Sequence, residues 1–259
     1  MRMMQEGGQA VTEYLTTPQG RKIAYHLSDG TGPAVVFLGG FKSDMEGTKA
    51  VHLERWAQAR GQAFLRFDYS GHGVSGGAFT DGAIGDWYED ARAAIGLLAG
   101  KVVLVGSSMG GWISLLIARE WPEKVAGMVT IAAAPDFTED SMWAGFDSTQ
   151  RRLLEAEEQV LLPSEYGEPY TITRRLIEEG RGRLVLRDPL ALGFPVRFLQ
   201  GTADADVDMA VALRLLEHAT GPDMRLTLVD GADHRFSDED CLSLIESSVE
   251  EVLRRAARG

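Results

Sequence analysis

Six stretches of the chain are rich in apolar residues. They are AVVFLGG (34–40), AFLRFD (63–68), KVVLVG (101–106), VAGMVTIAA (125–133), PVRFLQG (195–201) and RLTLVDG (225–231). Continuous apolar runs of this length predict strands buried on both faces, as in a parallel sheet. Between them the period changes. Ile84, Trp87, Tyr88, Ala91, Ile95 and Leu98 recur at helical spacing, as do Leu242, Ile245, Val249 and Val252. A further helix is expected to start near Met109 and to stop at Pro122, since proline cannot continue it. Strand–helix alternation over this length predicts an α/β chain: a doubly wound, mostly parallel sheet with helices on both faces. The early runs VTEYLTT and KIAYHL fit an antiparallel hairpin at one edge.

One segment breaks the alternation. Residues 135–193 carry no strong strand signal and two predicted helices, within DSTQRRLLEAEEQVLLPSEY and YTITRRLIEEG, joined by polar residues. Long inserts in α/β folds are usually functional. The expected organisation is one domain over residues 1–259, with 135–193 as a helical cap or lid over the carboxyl ends of the strands, where such sheets bind ligands.

Composition narrows the partners. The chain has 259 residues, 44% of them hydrophobic, and a formal net charge of −12. That charge repels phosphate backbones and anionic membrane surfaces, so neither nucleic acid nor a stable membrane anchor is expected. The single cysteine, Cys241, excludes an internal disulfide. There is no Cys/His cluster to suggest a metal, and no metal or organic cofactor is expected. The opening MRMMQEGGQA reads as neither a secretory signal nor a transit peptide; the expected location is cytoplasmic.

The chemistry centres on VLVGSSMGGWI (103–113). The pattern G-x-S-x-G fits 106–110 and puts Ser108, not Ser107, at its centre, with a predicted strand before it and a helix after it. That is the context of a nucleophile elbow. The two glycines remove side chains where the chain doubles back, and the helix N-terminus favours developing negative charge. A serine needs a base. In the order nucleophile, acid, histidine, His26, His52 and His72 come too early. His218 lies in a helical pattern, whereas His234 follows the last strand. The acid should follow PVRFLQG, where Asp204, Asp206 and Asp208 are available. Asp204 stands closest to the strand end and is the first choice, with Asp206 as its rival. The oxyanion donors are expected to be the N–H of Met109 and the N–H of Phe41, in a loop that Gly39 and Gly40 let approach.

These residues resemble the α/β-hydrolase superfamily over nearly the whole chain. FDYSGHGVSGG (67–77) is similar to the Gly-rich loop that such enzymes carry before the elbow. GSSMGGW, PEKVAG, LPSEYGEPYTITRRLIEEG and GADHR resemble the branch containing the mitochondrial palmitoyl-protein thioesterase, also described as an acyl-glucuronide esterase, and its bacterial relatives. The resemblance implies an α/β-hydrolase fold with Ser108, Asp204 and His234 as the triad. Two positions depart from it: Gln200–Gly201 where the family often has His-Gly, and Val207–Asp208 where Val-Pro commonly follows the acid.

The expected activity is hydrolysis of acyl thioesters or esters through an acyl-enzyme. The partner is then a small molecule or acylated protein with an apolar acyl group, and the enzyme a monomer or homodimer. Gly40, Phe41, Met45, Trp112, Met142, Trp143, Phe146 and Phe236 are the candidates for the acyl pocket. A carboxylesterase of small oxyesters or acyl glucuronides would use the same triad. A non-catalytic binding protein on the same fold is a reading of another class, and failure to react with a fluorophosphonate would distinguish it.

Overall fold

The computed structural model describes residues 11–163 and 169–258. The reading of the first ten residues as neither signal nor transit peptide lies outside the described residues. So does the middle of LPSEYGEPY (164–168).

In chain order the elements are β1 (Glu13–Thr16), β2 (Lys22–Ser28), β3 (Thr31–Leu38), α1 (Thr48–Ala59), β4 (Gln62–Phe67), α2 (Ile84–Ile95), β5 (Val102–Ser107), α3 (Met109–Glu120) and β6 (Val125–Ile131). They continue as α4 (Ser148–Glu157), β7 (Gln159–Leu162), β8 (Tyr170–Thr173), α5 (Arg174–Arg181), β9 (Leu190–Ala191), β10 (Val196–Gly201), α6 (Met209–His218), β11 (Ala219–Thr220), β12 (Met224–Val229) and α7 (Glu239–Ala256). Eight strands form one sheet in the order β1-β2-β4-β3-β5-β6-β10-β12. β1 and β2 pair antiparallel at one edge, and β2 runs antiparallel to β4. Every neighbouring pair from β4 to β12 is parallel.

The unbroken apolar runs have a direct cause. Along β3, Val36 and Leu38 join the core on the face covered by α2 and α3, while Val35 and Phe37 join the core under α1 and α7. In β5, Val102 and Leu104 go one way and Val103 and Val105 the other. Successive side chains point to opposite faces, and here both faces are dry. Each helix brings its stripe to one core: Trp87, Ala91 and Ile95 of α2 to the first, Ile245, Val249 and Val252 of α7 to the second.

β3 sits between β4 and β5, so the connections leaving its two sides diverge at its carboxyl end. A crevice at such a switch point is where open α/β sheets place ligands.

The insert 135–193 differs from its reading as two helices. α4 and α5 are present, but QVLL and YTIT form β7 and β8, paired antiparallel with Val160 opposite Ile172. Each strand is only four residues long. A π-helical turn over Thr138–Trp143 precedes them.

Candidate active site

The turn between β5 and α3 carries Ser108 at φ 53° and ψ −117°. A non-glycine residue there is strained by about 1–3 kcal/mol and persists only where surrounding contacts over-determine it. They do so here. The Ser108 N–H donates to the Ile131 carbonyl at 2.9 Å, and the Ser108 carbonyl accepts from Gly111 at 2.9 Å and Ala134 at 3.1 Å. The glycines are required by space. A Cβ on Gly110 would stand 2.0 Å from the Leu38 carbonyl oxygen, and one on Gly106 2.4 Å from that of Gly110. Ser107 closes β5 opposite Ile131 and is buried.

His234 and Asp204 come from the loops after β12 and β10. The His234 Nδ1–H donates to Asp204 Oδ2 at 2.9 Å, with Oδ1 at 3.1 Å. That leaves Nε2 as the imidazole's acceptor. The Asp204 carboxylate is fully buried and accepts backbone N–H bonds from Asp206 at 2.9 Å and Val207 at 2.8 Å. Gln200 Nε2 donates to its Oδ2 at 3.0 Å. Gln200, one of the departures from the family pattern, thus sits in direct contact with Asp204. Burial works against the charge on Asp204, but the bonds from His234, Val207 and Gln200 outweigh it and hold the carboxyl below its usual range. Asp206 contributes its backbone N–H to Asp204. Possible metal-ligand atoms of Asp204, Asp206 and His234 lie within 4.8 Å of one another. Both Asp204 oxygens are engaged by N–H donors, the His234 Nδ1–H among them.

Ser108 and His234 line one cavity of about 860 Å³ at the carboxyl end of the sheet. Gly40 and Phe41 line it from the loop after β3. A Cβ on Gly40 would come within 3.3 Å of Ser108 Cβ, so this loop lies against the serine. The Phe41 ring is fixed by edge-on contacts with Phe79 at 4.9 Å and Phe137 at 5.5 Å. Met109 is fully buried at the first turn of α3.

Of the remaining pocket candidates, Met142 lines the cavity, and the insert adds Phe137, Asp140 and Tyr170. Met45, Trp112, Trp143, Phe146 and Phe236 are not among the lining residues. Trp112 is fully buried and donates its Nε1–H to the Arg183 carbonyl. Trp143 is held by the guanidinium groups of Arg151 and Arg181, 4.9 and 4.6 Å from its ring centroid. Phe146 is buried in the core below the insert, Phe236 packs in the core under α7, and Met45 is buried with its N–H on Asp68. Apolar character alone did not distinguish these packing roles from cavity lining.

Sequence reasoning missed the cations of the cavity. Lys42, Lys49 and Arg235 line it beside Asp44, Asp206 and Asp208. Lys49 Nζ donates to the carbonyl of Arg235, the neighbour of His234. Burial pushes the Lys49 ammonium down to about 8, against the opposing pull of Asp233. In the unfolded chain the group titrates near 10.4, so across about pH 8–10.4 the unfolded state binds more protons. The resulting stability is present above the unfolded value and is lost as pH falls through about 8. Lys49→Met should therefore fare better relative to the wild type at pH 7 than at pH 10.5, as read from urea midpoints. A mutant–wild-type difference that does not vary with pH would contradict this.

The family model for serine aminopeptidase S33 (Hydrolase_4) matches residues 32–166. The mitochondrial palmitoyl-protein thioesterase ABHD10 of Rattus norvegicus is 31% identical over 93% of this chain and 82% of its own length. A solved structure from Agrobacterium vitis S4 is 40% identical, with a TM-score of 0.91 over 95% of this chain and all of that one. The structure of mouse α/β hydrolase domain-containing protein 10 is 30% identical, with a TM-score of 0.87 over 95% and 99% of the two chains. Among the described residues, no helix is long and apolar enough to cross a membrane.

Proposed function

The chain belongs to the serine aminopeptidase S33 family of α/β-hydrolases, and from that premise we propose that it cleaves acyl thioesters or esters through Ser108, His234 and Asp204. The observation that carries this reading is the cavity shared by Ser108 and His234, with the imidazole's far nitrogen bonded to a buried carboxylate.

In the first half-reaction Ser108 Oγ attacks the acyl carbonyl while His234 Nε2 takes the hydroxyl proton. Asp204 holds the Nδ1–H tautomer and stabilises the imidazolium. The Met109 and Phe41 N–H groups receive the tetrahedral oxyanion, and the start of α3 adds its dipole. His234 then protonates the departing thiolate or alkoxide, leaving an acyl-serine. Water, deprotonated by His234, repeats the sequence and releases the acid with the serine restored.

The thioester side of the proposal rests on the rat and mouse relatives, which are named palmitoyl-protein thioesterases, and on the apolar walls that Phe41, Phe137, Met142 and Val211 give the cavity. The insert 135–193 acts as a lid that supplies the acyl wall. The direct test is kcat/KM on matched octanoyl thioester and p-nitrophenyl octanoate, with fluorophosphonate labelling of the same preparation. Turnover of the thioester with labelling supports the proposal. Labelling with turnover of the oxyester alone makes the enzyme a carboxylesterase, and neither labelling nor turnover leaves a binding protein.

The lid reading makes a quantitative claim at Met142. At about 0.8 kcal/mol per buried methylene, Met142→Ala should lower the octanoyl-to-acetyl preference in kcat/KM by roughly tenfold. Trp143→Ala, whose ring lies between two arginines instead of in the cavity wall, should leave that ratio unchanged. Equal loss on both acyl lengths in Met142→Ala would remove the insert from acyl recognition.

A further inference from the structure

The loop 67–77 contains a histidine that the proposed reaction does not use. His72 is 3% exposed and sits in an aromatic cage. Its ring centroid lies 5.6 Å from Tyr69, 5.3 Å from Phe79 and 5.1 Å from Trp87, all edge-on. Its polar atoms are both committed. Nδ1 lies 3.1 Å from the Ser70 carbonyl, which can only accept, so Nδ1 carries the proton. Nε2 is therefore the acceptor for the backbone N–H of Lys42, 3.2 Å away.

Lys42 directly follows Phe41 and has φ 57°, a left-handed conformation that a lysine does not adopt without support. The turn is closed on its other side by Ser43, whose N–H and Oγ–H both donate to the Gly40 carbonyl, at 3.2 and 2.8 Å. The histidine loop is in turn tied to this one by Asp68. Its carboxylate accepts from Met45 at 2.6 Å and from Val74 at 2.9 Å. A side chain on Gly73 would collide with that carboxylate, since its Cβ would fall 2.1 Å from Oδ2.

We infer that His72 is a positioning residue for the oxyanion loop: as a neutral acceptor it holds the Lys42 N–H, fixes the left-handed turn there, and so aims the adjacent Phe41 N–H at the reacting oxygen. The inference rests on the proposed Ser108 reaction. Burial supports it independently, pushing the His72 imidazole down to about 4, which keeps Nε2 free of a proton at neutral pH. The Lys42 side chain lies at the cavity wall, with its Nζ 5.1 Å from the centroids of Phe79 and Tyr170. His72 accepts from the Lys42 backbone N–H, so the Lys42 side chain makes that contact separately.

The test compares His72→Asn with His72→Gln. An asparagine amide can still donate to Ser70 but is too short to reach Lys42. A glutamine amide places a carbonyl oxygen near the position of Nε2. Misaligning one of two oxyanion donors should cost less than deleting it, roughly ten- to hundredfold in kcat. The Asn variant should show that loss with KM for p-nitrophenyl octanoate unchanged. It should also bind octylboronic acid, whose serine adduct carries a tetrahedral oxyanion, more weakly by the same factor. The Gln variant should recover most of both. Equal losses in the two variants, or a loss confined to KM, would overturn the inference. If the Asn variant does not fold, a Gln variant with wild-type kcat and boronate affinity supports it and one as poor as a donor deletion overturns it. Failure of the underlying reaction shows elsewhere, as fluorophosphonate labelling that survives Ser108→Ala.

Discussion

Ser108→Ala protein should take up no fluorophosphonate and lose on the order of 10⁵–10⁶ in kcat, the scale of removing the nucleophile from a serine triad. The fold should survive. The replacement keeps the Cβ, and what holds the strained turn is backbone: the Ser108 N–H donates to Ile131, and the Ser108 carbonyl accepts from Gly111 and Ala134. Ser107→Ala is the control for register. Ser107 is the last residue of β5, paired with Ile131 and buried, so its loss should leave labelling intact. The two mutants differ by one position in the chain. They fall on opposite sides of the point where the strand ends and φ turns positive. Labelling retained by the Ser108 mutant and lost by the Ser107 mutant would put the nucleophile one residue earlier and dismantle the oxyanion argument built on Met109.

How far these positions could be read beforehand depends on how local their cause is. The central parallel strands were legible because burial on both faces leaves a mark within the strand: Val35, Val36, Phe37 and Leu38 face alternate cores, and all are apolar; β12, at the sheet edge, has no fully buried residue. The sharp turn at Ser108 was legible for a similar reason. Gly106 and Gly110 answer to atoms a few residues away and to the Leu38 carbonyl of the next strand, which tolerate no Cβ.

The β7–β8 hairpin was not legible. QVLL follows a charged helix without a break in the apolar pattern, and YTIT runs straight into the first turn of α5. Their strand character comes from pairing with each other, across residues that carry no two-residue turn signal. The cavity wall was legible only in part, because a large apolar residue is equally at home in a core. Trp112 and Phe236 look like acyl-pocket residues by composition and are fully buried elsewhere. Lys42 and Lys49 gave no signal at all. Their place depends on a left-handed turn at one and on the Arg235 carbonyl at the other, and neither contact is written in a local pattern.

Asp204→Asn should lower kcat by roughly 10⁴, on the scale known for the loss of a triad aspartate, while Asp206→Asn should cost far less. The first effect follows from the hydrogen-bond inventory around the carboxylate. Asp204 Oδ1 accepts from the Asp206 and Val207 N–H groups, Oδ2 accepts from Gln200 Nε2, and both lie within reach of His234 Nδ1. Every neighbour is a donor. An asparagine amide would have to point its NH₂ at one of them: at the two backbone N–H groups, which breaks the turn, or toward Gln200 and His234. In the second orientation the imidazole must give up its Nδ1–H to accept from the amide. The proton then sits on Nε2, the nitrogen that should take the proton of Ser108, and the positive charge formed in the transition state loses its carboxylate. Asp206 enters this network through its backbone N–H, which asparagine keeps. Single-turnover kinetics on a p-nitrophenyl ester would separate the two mutants at the acylation step. Losses of equal size would leave Asp204 without its special role, and the pairing of Asp204 with His234 would then be structural rather than chemical.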